Sequence, residues 1–90
     1  MSTWTFLTNH AHVLLLLRQD ADLRIRDMAH RIGITERAVQ RILRDLASEG
    51  YLEVEKEGRR NHYTIHPDRP MRHAVEAHAS VADLLTLANA

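Results

Sequence analysis

The sequence predicts a mainly α-helical domain carrying one small β-hairpin: three helices form a core, two paired strands follow, and a last helix lies beyond them. Three observations predict it. Apolar residues recur at helical spacing in three successive stretches that end near Gln19, Ile32 and Glu49. After Gly50 the period drops from 3.6 to 2. Pro67 and Pro70 then separate the alternating stretch from a final apolar stripe. With 44% apolar residues in 90 positions the chain can bury one core. A domain this small buries only about 60 to 65% of its unfolded surface, which favours a partner subunit.

Thr8 or Asn9 caps the first helix, which carries Val13, Leu14, Leu16 and Leu17 to about Gln19. Asp20 to Asp22 read as a turn, Leu23 to Ile25 as a short extended piece, and Arg26 to Ile32 as a second helix stopped by Gly33. Thr35 caps the third helix, with Ile34 and Val39 spaced as a hydrophobic staple. Val39, Ile42, Leu43 and Leu46 line its inner face to about Glu49, where Gly50 ends it. Leu52, Val54 and Lys56 alternate with Glu53, Glu55 and Glu57 as a strand. Gly58 to Asn61 make a turn, and His62 to His66 return with Tyr63 and Ile65 inward. Pairing Glu57 with His62 sets Val54 opposite Ile65 and Glu53 opposite His66, with each apolar residue on one face. Beyond Pro70, Ala74, Val75, His78, Val81, Ala82 and Leu85 fit one helical stripe, widened by Leu84 and Leu87.

Two short helices that cross closely need a small residue at the contact, a Gly for the tight turn, and apolar locks on the second helix. Ala29, Gly33, Val39 and Ile42 supply these in order, with Met28, Ile32 and Ile34 between them. This is helix-turn-helix spacing, and the hairpin after it adds a two-stranded wing. Residues 9 to 66 resemble the winged helix-turn-helix domains of MarR-type, ArsR-type and IclR-type regulators. The resemblance is carried by RDMAHRIGITERAVQRILRDLASEGYLEVEKEGRRNHYTI, above all by the helix pair, the LASEGYLE exit and the Gly-Arg-Arg wing. It implies a winged domain over residues 1–66, and a C-terminal helix over 67–90 is expected to pair two copies through Val75, His78, Val81, Ala82 and Leu85, the alternative being that it packs on the first helix of its own chain.

The resemblance also implies a sequence-specific regulator bound to double-stranded DNA, with the third helix in the major groove and the wing on an adjacent minor groove or backbone. Those roles fall on Thr35 to Arg44 and on Gly58 to Asn61. The chemistry of the residues agrees. Net charge is zero, yet eleven of the twelve cations are Arg, whose planar fork grips phosphates and guanine edges in pairs of bonds. Arg37, Gln40 and Arg41 are the expected base readers, with Thr35 and Glu36 at the helix start, where free amides face the duplex. Arg44 and Arg31 are expected on phosphates. Arg59 and Arg60, followed by Asn61, put two adjacent cations at a turn that needs neither, which a polyanion would neutralise. The competing reading is a winged helix that binds a protein or RNA; salt dependence on duplex DNA discriminates the two.

The absence of cysteine removes disulfides, thiolate metal sites and cysteine nucleophiles, and suits a reducing cytoplasm. No nucleophile with a base, paired catalytic carboxylates or phosphate-cradling Gly loop is visible, so an enzyme is not expected. The seven His offer no helical i,i+3 or i,i+4 metal pair; His62 beside Glu57 and His66 beside Glu53 favour imidazolium instead. No cofactor is expected, and no pattern points to a particular small-molecule effector. The longest apolar run, Val13 to Leu17, is far too short for a bilayer, and no leader pattern opens the chain. A soluble, cytoplasmic, nucleoid-associated protein with no membrane partner is the expectation.

Overall fold

The computed structural model describes residues 3–88. Its elements are α1 (Asn9–Gln19), α2 (Ile25–Ile32), α3 (Glu36–Ser48), β1 (Leu52–Glu57), β2 (Arg60–Ile65), α4 (Val81–Leu85) and a closing 3₁₀ turn, Thr86–Ala88. The first three helices begin and end within a residue or so of expectation because local chemistry sets their ends. Thr8 Oγ1 accepts from the Ala11 amide at 3.4 Å, and Thr35 Oγ1 accepts from the Ala38 amide at 3.0 Å. Gly33 closes α2 at φ +86°, so that its own amide and that of Ile34 both donate to the Ala29 carbonyl, at 2.8 and 3.0 Å. A residue with a Cβ would be strained there.

One core joins the elements. Val13, Leu14 and Leu17 of α1, Met28 and Ala29 of α2, and Val39, Ile42, Leu43 and Leu46 of α3 are buried together with Tyr51, Leu52 and Tyr63. Ile34 packs on its edge beside the fully buried Val39, as a staple requires.

The wing pairs in a register two residues tighter than expected. Glu57 stands opposite Arg60, Glu55 opposite His62, Val54 opposite Tyr63 and Leu52 opposite Ile65. Gly58 takes φ +62°, the sign a type II′ turn needs at its first central position, so Gly58 and Arg59 alone close the hairpin and Arg60 and Asn61 join the ladder. Because a strand repeats every two residues, this slip leaves every side chain on its expected face.

The expected long C-terminal helix is corrected. Residues 67–80 form an irregular excursion closed on itself: the Met71 amide donates to the Ala79 carbonyl, the Val81 amide to that of Arg69, and the Ala82 amide to that of Pro67. A capping box of Ser80 and Asp83 then starts α4, which packs on α1 of the same chain. Val81 and Leu85, expected between two copies, are therefore only 1% and 6% exposed within one, whereas Val75, His78 and Ala82 remain on the surface. The ends of the two expected units, residues 1–2 and 89–90, lie outside the described residues.

Leu17, at the junction of α1 with this core, is 2% exposed. Leu17→Ala should cost about 2 to 5 kcal/mol of stability, read as a lower urea midpoint at unchanged slope.

Candidate nucleic-acid interface

An amphipathic helix that spends one face on the core must offer the other to solvent. On α3 the spent face is Val39, Ile42, Leu43 and Leu46. Arg37, Gln40, Arg41 and Arg44 fall on the opposite side, within about 100° of arc at 100° per residue. All four are exposed, as are Thr35, Glu36 and Arg31. Among the described residues no carboxylate lies within ion-pairing distance of Arg31, Arg37, Arg41 or Arg44. Two neighbouring acids are engaged elsewhere: Asp45 accepts from His10 Nε2 at 2.9 Å, and Glu49 stands 3.9 Å from Arg72. The helix thus presents three cations and an amide with their hydrogen-bonding capacity unspent.

Besides its buried roots, the wing is tied to the helices by the loop between α1 and α2. Asp22, between α1 and α2, accepts on its carbonyl from Arg60 Nη2 at 2.9 Å and on its carboxylate from His62 Nδ1 at 2.7 Å. The neighbouring Ala21 carbonyl accepts the Tyr63 amide at 3.1 Å. Asp20 Oδ1 in turn accepts the Asp22 amide at 3.0 Å, fixing the loop. Arg60 therefore has a structural duty beside the expected one, while Arg59 alone occupies the turn with Gly58. Asn61 is half-buried, its Nδ2 donating to Tyr63 Oη at 3.3 Å.

Asp22 was not among the expected site residues. It lies 40 positions from His62, and only folding brings the two together. The carboxylate expected at His62 was Glu57; the tighter register puts Glu55 opposite it and leaves Asp22 as its hydrogen-bond partner. His66 does meet Glu53, at 3.4 Å. Among the described residues no three His, Asp or Glu side chains stand close enough together to hold a metal ion, and no helix is long and apolar enough to cross a membrane.

The bond to the Asp22 carboxylate, helped by the nearby charges of Glu57 and Glu55, raises the His62 pKa above its ordinary 6.5. A raised pKa stabilises the fold fully below the unfolded value and loses that contribution as pH climbs through the folded one. Stability should thus fall as pH rises from about 6.5 upward. His62→Gln should flatten that limb of the pH profile in urea denaturation.

A family model described as winged helix-turn-helix DNA-binding matches residues 8–53, from the cap of α1 into β1. No curated protein sequence matches the chain. Among solved structures, the chain is similar to Lactococcus lactis ZitR in a mutant form, with TM-score 0.60 and 15% identity over 99% of this chain and 52% of that one. It is similar to the zinc-dependent MarR-family regulator AdcR in its Zn(II)-bound state, with TM-score 0.51 and 28% identity over 73% and 47% of the two chains. A Mycobacterium tuberculosis MarR-family protein in complex with salicylic acid follows at TM-score 0.58 and 23% identity, covering 92% and 56%. The chain spans about half the length of each of these. With its helix pair inside the matched span and an unpaired arginine stripe on the outer face of α3, the chain belongs to the winged helix-turn-helix DNA-binding family.

Proposed function

We propose that this domain serves a transcriptional regulator as its sequence-specific reader of double-stranded DNA, with α3 in the major groove and the wing tip on the adjacent minor groove or backbone. The observation that carries the reading is the exposed stripe of Arg37, Gln40, Arg41 and Arg44, which has no carboxylate partner within the described residues. Solvating three such cations in one row gains the fold nothing, whereas a duplex supplies both phosphates and paired acceptors on guanine. Arg37, Gln40 and Arg41 read bases; Arg44 and Arg31 touch phosphates; Thr35 and Glu36 sit at the helix end that faces the groove. Arg59, Arg60 and Asn61 belong to the wing contact.

Pairing of two copies is part of this reading. Its surface is no longer the expected stripe, since Val81 and Leu85 are consumed within the chain. Phe6, Val75 and Leu87 are large apolar side chains left exposed, by 92%, 75% and 63%, and exposed apolar area of this kind supports it. A cytoplasmic, nucleoid-associated location matches this reading.

Two measurements check the assignment. Log affinity for a duplex should fall linearly with log salt, by about 0.9 for each phosphate neutralised, and indifference to salt would instead favour a protein-binding winged helix. On a selected binding site, Arg41→Ala should cost about 1 to 3 kcal/mol and relax preference at one base pair, whereas Arg44→Ala should weaken all sequences alike.

A further inference from the structure

The loop of residues 20–23 grips β2 at three points, one on the strand's edge and two on one of its faces. The Tyr63 amide, on the edge away from β1, donates to the Ala21 carbonyl at 3.1 Å. Arg60 and His62, two positions apart and therefore on one face, donate to the Asp22 carbonyl at 2.9 Å and to its carboxylate at 2.7 Å. The loop is itself braced, since Asp20 accepts the Asp22 amide on its side chain at 3.0 Å and the Leu23 amide on its carbonyl at 3.3 Å.

These ties differ in leverage. Tyr63 is buried in the core and marks the root of the hairpin, and Arg59 at the turn lies four positions beyond it, about 13 Å away at about 3.3 Å per residue. A swing of about 10° at the root carries such a tip about 2 Å, whereas a hydrogen bond keeps its strength over only about 0.5 Å of donor–acceptor distance. The Tyr63 bond sits at the pivot and resists little of that swing. The two ties that lie between pivot and tip both end on Asp22. Its carboxylate also shares a cleft with Arg59 and Arg60, where a negative charge repels a polyanion and so weakens any contact of the wing with DNA. An acid in that place is explained by the geometry it imposes, not by the charge it brings.

We propose that Asp22 is a positioning residue: its carboxylate, through His62, fixes the angle of the wing to the helices and thereby sets where along a duplex the wing tip lands relative to α3. The inference rests on the DNA-binding reading and adds to it a determinant that acts through the wing. The side chains of His62 and Asp22 are 39% and 59% exposed, so either can be changed without opening the core. Asp22→Ala removes the charge and the acceptor together, while Asp22→Asn removes the charge and keeps an acceptor oxygen for His62. Charge alone predicts that both variants bind DNA more tightly than the parent; positioning predicts that the alanine variant binds more weakly.

The test has one arm without DNA and one with it. Because the chain has no cysteine, spin labels on Lys56→Cys and His30→Cys, in the wing and in α2, report the distance between those two elements. Asp22→Ala broadens that distance distribution and Asp22→Asn leaves it narrow. For the second arm, affinity is measured on a selected site in two lengths, one ending under α3 and one reaching past the wing. Asp22→Ala binds the short duplex no more weakly than the parent and the long duplex about tenfold more weakly, the worth of one charge-assisted hydrogen bond. Asp22→Asn binds both at least as tightly as the parent. His62→Ala reproduces the loss on the long duplex, and the Asp22→Ala/His62→Ala variant adds nothing to it, because one bond is broken in all three. A distance distribution that Asp22→Ala leaves narrow overturns the proposal, and so does a long-duplex affinity that it leaves unchanged or raises. Equal weakening on both duplexes overturns it too, since that is general destabilisation. A parent protein with no affinity for either duplex removes the DNA-binding reading instead, and the spin-label arm still reports whether Asp22 holds the wing.

Discussion

Burial of Val39, Ile42, Leu43 and Leu46 is the constraint on which the rest of the molecule depends. Those four side chains dock α3 on α1 and α2, and because the helix period is fixed, they also dictate which residues cannot be buried. Arg37, Gln40, Arg41 and Arg44 are driven outward by the same geometry that packs the core. The Gly33 turn serves this docking, since the left-handed conformation at φ +86° is what lets α2 stop and α3 start close enough for Ala29 and Val39 to share one interior. A domain that loses the core face of α3 would lose the proposed reading face as well.

The wing solves a different problem. A two-stranded hairpin is marginal by itself and has no intrinsic orientation relative to the helices. Leu52 and Tyr63 root it in the core, and the Asp22 loop ties its outer strand through a backbone bond from Tyr63 and side-chain bonds from Arg60 and His62. Two of these ties involve charge: the Arg60 bond to the Asp22 carbonyl and the His62 bond to the Asp22 carboxylate. The residues that hold the wing are thus neighbours of those proposed to grip the backbone.

The far side of the core is closed by a strap. Arg69 lies over the Tyr51 ring, 5.4 Å from its centre, and donates to the Glu49 carbonyl at 3.1 Å, while Tyr51 Oη donates to the Pro70 carbonyl at 2.7 Å. These bonds pin residues 69–70 to the end of α3 and start the chain on the excursion that returns at Ser80. The return delivers Val81, Leu84 and Leu85 to α1. Apolar residues that a sequence reading assigns to a subunit interface are thereby used to complete a monomer core.

Local chemistry determined much of this from sequence alone. Threonine caps at Thr8 and Thr35, the Gly33 and Gly50 stops, the change of period after Gly50 and the one-sided arginines of α3 are all encoded within a few residues of where they act, so three helices, a hairpin and a candidate reading face were legible. Tertiary structure alone decided the rest. The hairpin register depended on whether the turn held two residues or four, a choice that alternation does not constrain because both keep every side chain on its face. The fate of residues 71–85 depended on competition between a continuous apolar stripe and the straps at Arg69, Tyr51 and Ser80. The partners of His62 and Arg60 lay some forty positions away, and no spacing rule reaches across a fold.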